Sequence, residues 1–426
     1  MLVSFAKSVQ GESHKRRENQ NENLALGRKF PCQDKSFAQK DIVANDGTHF
    51  NFMAVCDGHG GAAYFRSELG ADFAIEVLKD VLTRNMARIK ELAAGGDFEK
   101  IKTQLALGIT KRWREKVNSH LSENPITEQE YSFLEAEKPD VVQQYKDGKD
   151  LFAIYGCTLI AYFSTKDFWY ALQIGDGDFA ISYDGKNFEL PMPEDEACFL
   201  NQTTSLCDEN AKNEFRFCYG NNLPVAAFCS SDGVANSFTH MEHLKQRFYL
   251  PIYNLFDNTE FPKCKKDCSQ SDCDLKCHFN LVRDEIFNFL PILSKKGSGD
   301  DISLAGIVDV NTDRIYAMRY YIRGMKNLGI QAGNTAGLKL LKKAADLGYE
   351  KAQYEYGRLC YTKSSQHKIM GQHLLDKSQK YLEEAKENGV SEASVLLQEI
   401  FGEPLKEKLN QLEEKILSEI SSRGEQ

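Results

Sequence analysis

Five short motifs put aspartate where strands end: CQD at Asp34, CDGHGG at Asp57, IGDGD at Asp176, SSDG at Asp232 and GSGDD at Asp300 and Asp301. A single Asp-Gly after a strand is usually a turn, and Asp184-Gly185 reads that way. Gathered in one place, the same carboxylates would repel one another, and burial would raise each pKa. Divalent cations remove that conflict. Hard ions such as Mg²⁺ or Mn²⁺ take oxygen ligands and keep several waters. The neighbouring glycines would let the backbone approach an ion and offer carbonyls. His59 follows Asp57 by two residues, which puts a titratable imidazole beside the same chemistry.

The elements that must position these residues can be read from periodicity. The first ten residues alternate like a strand, and Asn45-Asp46-Gly47 is hairpin chemistry because a tight turn needs residues that tolerate positive φ. The second strand of that hairpin, about Phe50 to Cys56, runs directly into Asp57. Apolar spacing predicts helices over 62–83 and 98–121, and the polar stretch 123–150 reads as loop or surface helix. From Gly156 the period becomes two. CTLIAYFS, FWYALQIGD, DFAISYD and NFELP, separated by turn residues, predict an antiparallel meander. A strand near residue 228, a helical region over about 239–295 and a last strand in DDISLAGIVDV complete the first part.

With order, spacing and flanking strands taken together, the sequence resembles the type 2C metal-dependent Ser/Thr protein phosphatases over roughly residues 1–310. The resemblance is carried by FMAVCDGHGG, YGCTLIAYF, LQIGDGDFAI, FCSSDGV and GSGDDISLAGI. The opening GESH, followed after a loop by GRKFPCQD, is similar to the bacterial branch of that family. The resemblance implies an α+β fold, a β-sandwich of two antiparallel sheets flanked by helices. It implies two Mn²⁺ or Mg²⁺ ions, with Asp57 bridging them, the Gly58 carbonyl on one, and Asp232 and Asp300 on the other. Asp34 would reach the metals through water, Asp301 would stand beside the last ligand, and Asp176 with Asp232 would hold a weaker third ion. A hydroxide bridging the two ions would attack phosphorus in line, and His59 would protonate the departing Ser or Thr oxygen.

The family's phosphate-binding Arg, five residues before the early aspartate, is replaced by Lys29, with Arg28 just before it. Lys offers a point charge without the bidentate fork of Arg. Arg28, Lys29 and His14 are therefore all candidates for holding the phosphate.

Cys264, Cys268, Cys273 and Cys277 fall within fourteen residues of an insertion at about 262–280, with His278 adjacent. Four thiolates at this density could enclose a structural Zn²⁺. Free or redox-active thiols are the alternative. Cys56, Cys157 and Cys229 lie in apolar strand-like runs and read as buried core residues of a reducing compartment.

After about residue 316 the strand signals stop, giving a phosphatase-like domain over 1–316 and a small all-α domain over 317–426. Ala344, Gly348 and Ala352 recur 41 residues later as Ala385, Gly389 and Ala393. Small residues in paired helices and a glycine at each turn are the pattern of a helical-hairpin solenoid, similar to the Sel-like relatives of tetratricopeptide repeats. Such a tail would bind a protein partner or else cover the phosphatase core, while the first domain would bind a phosphoprotein substrate. The competing reading is a phosphatase fold kept as an inactive binding scaffold, which would predict lost ligands.

The bulk numbers set the limits. At 426 residues two domains are expected, and 42% hydrophobic and 27% charged residues are ordinary for a globular chain. A formal charge of -9 argues against nucleic-acid binding over the whole surface. No apolar run suits a membrane span, and the first residues do not form a secretory signal, so the cytoplasm is the expected location.

Overall fold

The computed structural model describes residues 1–15, 31–195, 203–257, 271–330, 334–364 and 371–402. The chain divides into two compact units, Met1–Val310 and Asn311–Gln426.

The first unit contains nine strands: β1 (Leu2–Val9), β2 (Lys35–Val43), β3 (His49–Cys56), β4 (Leu159–Ser164), β5 (Trp169–Ile174), β6 (Asp178–Ser182), β7 (Arg216–Gly220), β8 (Ala226–Ser230) and β9 (Ile302–Asp309). They form two antiparallel sheets, ordered β1-β9-β8-β6 and β2-β3-β4-β5-β7. The period-two pattern sorts β3 between two cores, since successive side chains of a strand point to opposite faces. Met53 and Val55 join Ile160, Tyr162 and Ala171 against Phe179, Cys229 and Ile307 of the other sheet. Phe50, Phe52 and Ala54 face the other way, into a core shared with α1 (Ser67–Ala94) and α2 (Phe98–Glu123). On α2, Ile101, Leu105, Ile109, Trp113 and Val117 recur every four residues and are all buried. Two shorter helices, α3 (Glu128–Glu137) and α4 (Pro139–Lys146), occupy the polar stretch. α5 (Leu250–Asp257) adds Phe256, which stacks on Phe5 of β1 at 5.6 Å, and α6 (Ser271–Lys296) follows it.

The expected meander is only half present. β4 and β5 pair, but β6 leaves that sheet and pairs with β8, with Asp178 opposite Ser230. The NFELP segment contributes a single bridge, Ile181 to Glu189, rather than a strand. The turn at Gly175 makes the crossing possible. Its φ of 101° suits glycine, and a Cβ there would strike Thr158 at 2.4 Å. Period two marks a strand but does not choose its neighbour. The sandwich gains more by placing Phe179 and Ile181 in the inter-sheet core.

The second unit is helical among its described residues: α7 (Thr312–Ile330), α8 (Thr335–Asp346), α9 (Glu350–Ser364), α10 (Gly371–Glu387) and α11 (Ser391–Phe401). The two equivalent turns, α8 to α9 and α10 to α11, place Gly348 at φ 83° and Gly389 at φ 89°. Ala344, Ala352, Ala385 and Ala393 are all fully buried, so the paired helices approach through their smallest side chains. No helix among the described residues is long and apolar enough to cross a membrane.

Candidate active site

The antiparallel register brings the aspartates to one end of the sandwich. Lys35 at the start of β2 lies opposite Cys56 at the end of β3, so Asp34 and Asp57 are neighbours. Ser230 at the end of β8 lies opposite both Asp178 and Leu304, which sets Asp232 beside β6 and beside Asp300 and Asp301 at the entry to β9. A cleft of about 1090 Å³ opens there, lined by six aspartates (Asp57, Asp176, Asp208, Asp232, Asp300 and Asp301) and by His14 and His59. No Lys or Arg lines it among the described residues.

The electrostatics of this end are one-sided. Asp34 is 1% exposed, and neither of its carboxylate oxygens has a hydrogen-bond partner. Burial, followed by the charges of Asp301 and Asp232, pushes its pKa up to about 8. Burial and the charge of Asp34 hold Asp57 well above the usual carboxylate range. Asp232 is raised by burial and by Asp176 and Asp300, and its Oδ1 is also buried without a partner.

Asp301 is the exception. Burial would raise it, but its carboxylate accepts the Gly11 N–H at 2.7 Å and the Gln33 N–H at 2.7 Å, and it faces His14 Nδ1 at 2.8 Å. Together these hold it below its ordinary value.

Cations suit this donor set. It consists of hard carboxylate oxygens, several of them buried, of like charge and without a proton donor. No three His, Cys, Asp or Glu side chains among the described residues close into a cage as they stand. The carboxylates line an open cleft, which leaves room for the waters that Mg²⁺ or Mn²⁺ retains.

His59 is fixed from both sides. Its N–H donates to the Gly156 carbonyl at 3.0 Å, and its carbonyl accepts from Gln33 Nε2 at 2.9 Å and Ser67 Oγ at 3.0 Å. The ring meets Tyr64 edge-on at 5.0 Å. On the other side a Cβ at Gly156 would reach His59 Cδ2 at 2.6 Å, so residue 156 must be glycine for the ring to lie there. Gly58 is constrained likewise, since a Cβ would strike the Gln33 carbonyl oxygen at 2.6 Å. Burial lowers the His59 pKa, opposed by the charges of Asp176 and Asp208.

Of the residues singled out by sequence, Asp34, Asp57, Gly58, His59, Asp176, Asp232, Asp300, Asp301 and His14 meet at this end. Asp176 accepts a hydrogen bond from Thr203 Oγ1. His14 commits Nδ1 to Asp301 and brings Nε2 within 3.7 Å of Asp300. Arg28, Lys29, Cys264 and Cys268 lie outside the described residues, as do the side chains of Cys273 and Cys277.

Sequence reading missed Asp178 and Gln33. Asp178 has a buried, unpartnered Oδ2 and a pKa pushed up to about 7 by burial, Asp232 and Asp176. Its signal was present as the second aspartate of IGDGD. Gln33 gives no local signal, because its partners are far away in sequence.

A family profile described as protein phosphatase 2C matches residues 25–265, more than half of the chain. Among solved structures, similarity extends to PppA, a key regulatory component of the T6SS in Pseudomonas aeruginosa (14% identity, 72% of this chain and 97% of that one, TM-score 0.37). It extends also to the Mycobacterium tuberculosis serine/threonine phosphatase PstP (12% identity, 73% and 99%, TM-score 0.38). A third is the catalytic domain of PstP in complex with two manganese ions (13% identity, 73% and 99%, TM-score 0.38). No curated protein matches the sequence.

Proposed function

Because the chain belongs to the protein phosphatase 2C family, we propose that it hydrolyses phosphoserine and phosphothreonine in proteins, in the aspartate-lined cleft. The observation that carries this reading is the pair of buried, unpartnered oxygens of Asp34 beside Asp57 and Asp232. Such a place is relieved either by keeping carboxyls protonated, as the raised pKa of Asp34 does here, or by a cation that completes them.

Asp57, the Gly58 carbonyl, Asp232 and Asp300 are the residues that would hold two Mn²⁺ or Mg²⁺ ions, with Asp34 acting through water and Asp176 with Asp232 serving a weaker third. Bound there, such ions activate water at neutral pH and offset charge on the phosphoryl oxygens. The chain's own residues supply the rest. His59, fixed at both its N–H and its carbonyl, donates a proton to the leaving Ser or Thr oxygen. Burial makes its ring a readier donor. Asp301 ties Gly11, His14 and Gln33 to the entry of β9 and so keeps Asp300 in place. Lys29, Arg28 and His14 are the candidates for gripping the phosphate. The helical unit serves as a protein-interaction module.

The test is hydrolysis of a phosphothreonine peptide by the full chain with and without Mn²⁺, beside Asp57→Asn and Asp232→Asn. Turnover should require Mn²⁺ and fall by at least about a hundredfold in both variants. A folded wild type that hydrolyses no phosphopeptide with any divalent cation would overturn the reading in favour of a binding scaffold.

A further inference from the structure

Gln33 is 6% exposed and hydrogen-bonds three separate segments of the chain. Its side-chain amide donates to the His59 carbonyl at 2.9 Å and to Ser67 Oγ at 2.6 Å, so both Nε2 protons are used. Ser67 Oγ donates in turn to the same His59 carbonyl at 3.0 Å, closing a small ring of hydrogen bonds. The Gln33 backbone N–H donates to Asp301 Oδ2 at 2.7 Å. One residue thus joins the loop carrying Asp57 and His59, the first residue of α1 and the entry to β9, and it stands next to Asp34 in the chain.

We propose that Gln33 is a positioning residue for His59, setting the imidazole in register with the carboxylate cluster. The inference rests on His59 being the proton donor. The ring packs between Gly156 and Tyr64, and where it sits in the cleft follows from the placement of its peptide. The N–H of that peptide is held by Gly156 and the carbonyl by Gln33 and Ser67. Removing the amide donor frees the carbonyl side, and a misplaced donor weakens proton transfer steeply with distance.

Gln33→Glu tests this at nearly constant size, replacing a donor that faces the His59 carbonyl by a carboxylate oxygen that repels it. The full chain is assayed with Mn²⁺ on a phosphothreonine peptide, whose alkoxide leaving group needs a proton, and on p-nitrophenyl phosphate, whose leaving group needs little help. Turnover of the peptide should fall about tenfold further than that of the aryl ester, with KM nearly unchanged. In a His59→Gln background the same substitution should add nothing, because its effect passes through the imidazole. Equal losses on both substrates, or additive effects with His59→Gln, would overturn the proposal in favour of a purely structural role.

A second readout does not depend on turnover. In the histidine-labelled full chain, Gln33→Glu should shift the NMR signals of His59 and leave those of His49 unmoved. Unchanged His59 signals would sink the positioning role even if the wild type proved inactive, an outcome that would count against the proposed phosphatase activity instead. Should Gln33→Glu fail to fold, Ser67→Ala removes the other donor to the same carbonyl and should give the same substrate split at smaller amplitude.

Discussion

Arg66 with Glu130, and Asp34 with Asp57 and Asp232, are two charged clusters of the same unit, built on opposite terms. The Arg66 side chain is 7% exposed and that of Glu130 13%. All five guanidinium protons are used: on both Glu130 oxygens, on the Asn124 and Pro125 carbonyls, and on Tyr155 Oη. Burial would raise the Glu130 carboxyl, yet Arg66 holds it below its ordinary value. At the other cluster the charges have one sign, both Asp34 oxygens and Asp232 Oδ1 lack donors, and the carboxyls are pushed up. A satisfied pair of opposite charges completes itself and serves the fold, here by fastening the α2–α3 connection beneath the His59 loop. A like-charged cluster with unpartnered oxygens is incomplete, which is why we propose it as the place where the chemistry is done.

Cutting one partner from the satisfied pair breaks this contrast most severely. Arg66→Ala leaves the Glu130 carboxylate, still bonded by Thr127, without its countercharge and two carbonyls without this donor, and should cost about 3–5 kcal/mol in denaturant unfolding of the full chain. Asp34→Asn should act in the reverse direction. Without divalent cations it spares the cost of holding this carboxyl protonated at neutral pH and should raise stability by about 2 kcal/mol, while reducing the rise in Tm that Mn²⁺ gives the wild type.

The pH dependence sharpens the same point. The folded Asp34 pKa of about 8 lies above its usual 3.8, so the folded chain binds more protons than the unfolded one between those values. Cation-free stability should therefore fall as pH rises from about 4 to about 8, by at most about 1.4 kcal/mol per unit from this group, and level off above. Asp178 contributes with the same sign up to about 7. Saturating Mn²⁺ should flatten the fall, and a cation-free chain that gains stability with pH across this window would contradict the picture. The smallest effect belongs to replacing Arg66 and Glu130 together by Met. That should change stability by about 1 kcal/mol or less, because neither charge is left alone.

Much of the fold was legible because its signals are local. Alternation marked β1, β4 and β5, the Asn45-Asp46-Gly47 turn marked β3, helical spacing marked α1 and α2, and the turn glycines at 348 and 389 stand where the repeat put them. The aspartates were legible for a similar reason, since each ends or begins a strand beside a glycine or a second polar residue. Asp178 was readable in principle from the doubled IGDGD. Gln33 was not: a buried glutamine looks like any other in sequence, and its partners Ser67 and Asp301 are 34 and 268 residues away.

By itself the sequence determined which carboxylates stand as candidate cation ligands and most of the segments that form strands, helices or repeats, because both follow from side-chain type and short-range spacing. Only the tertiary structure decided that β6 crosses to the second sheet, that Asp34 is buried without a donor while Asp301 has three partners, and that Gln33 donates to the His59 carbonyl. Those outcomes depend on which distant backbone groups come within hydrogen-bonding reach, and that is set by the closing of two sheets against each other.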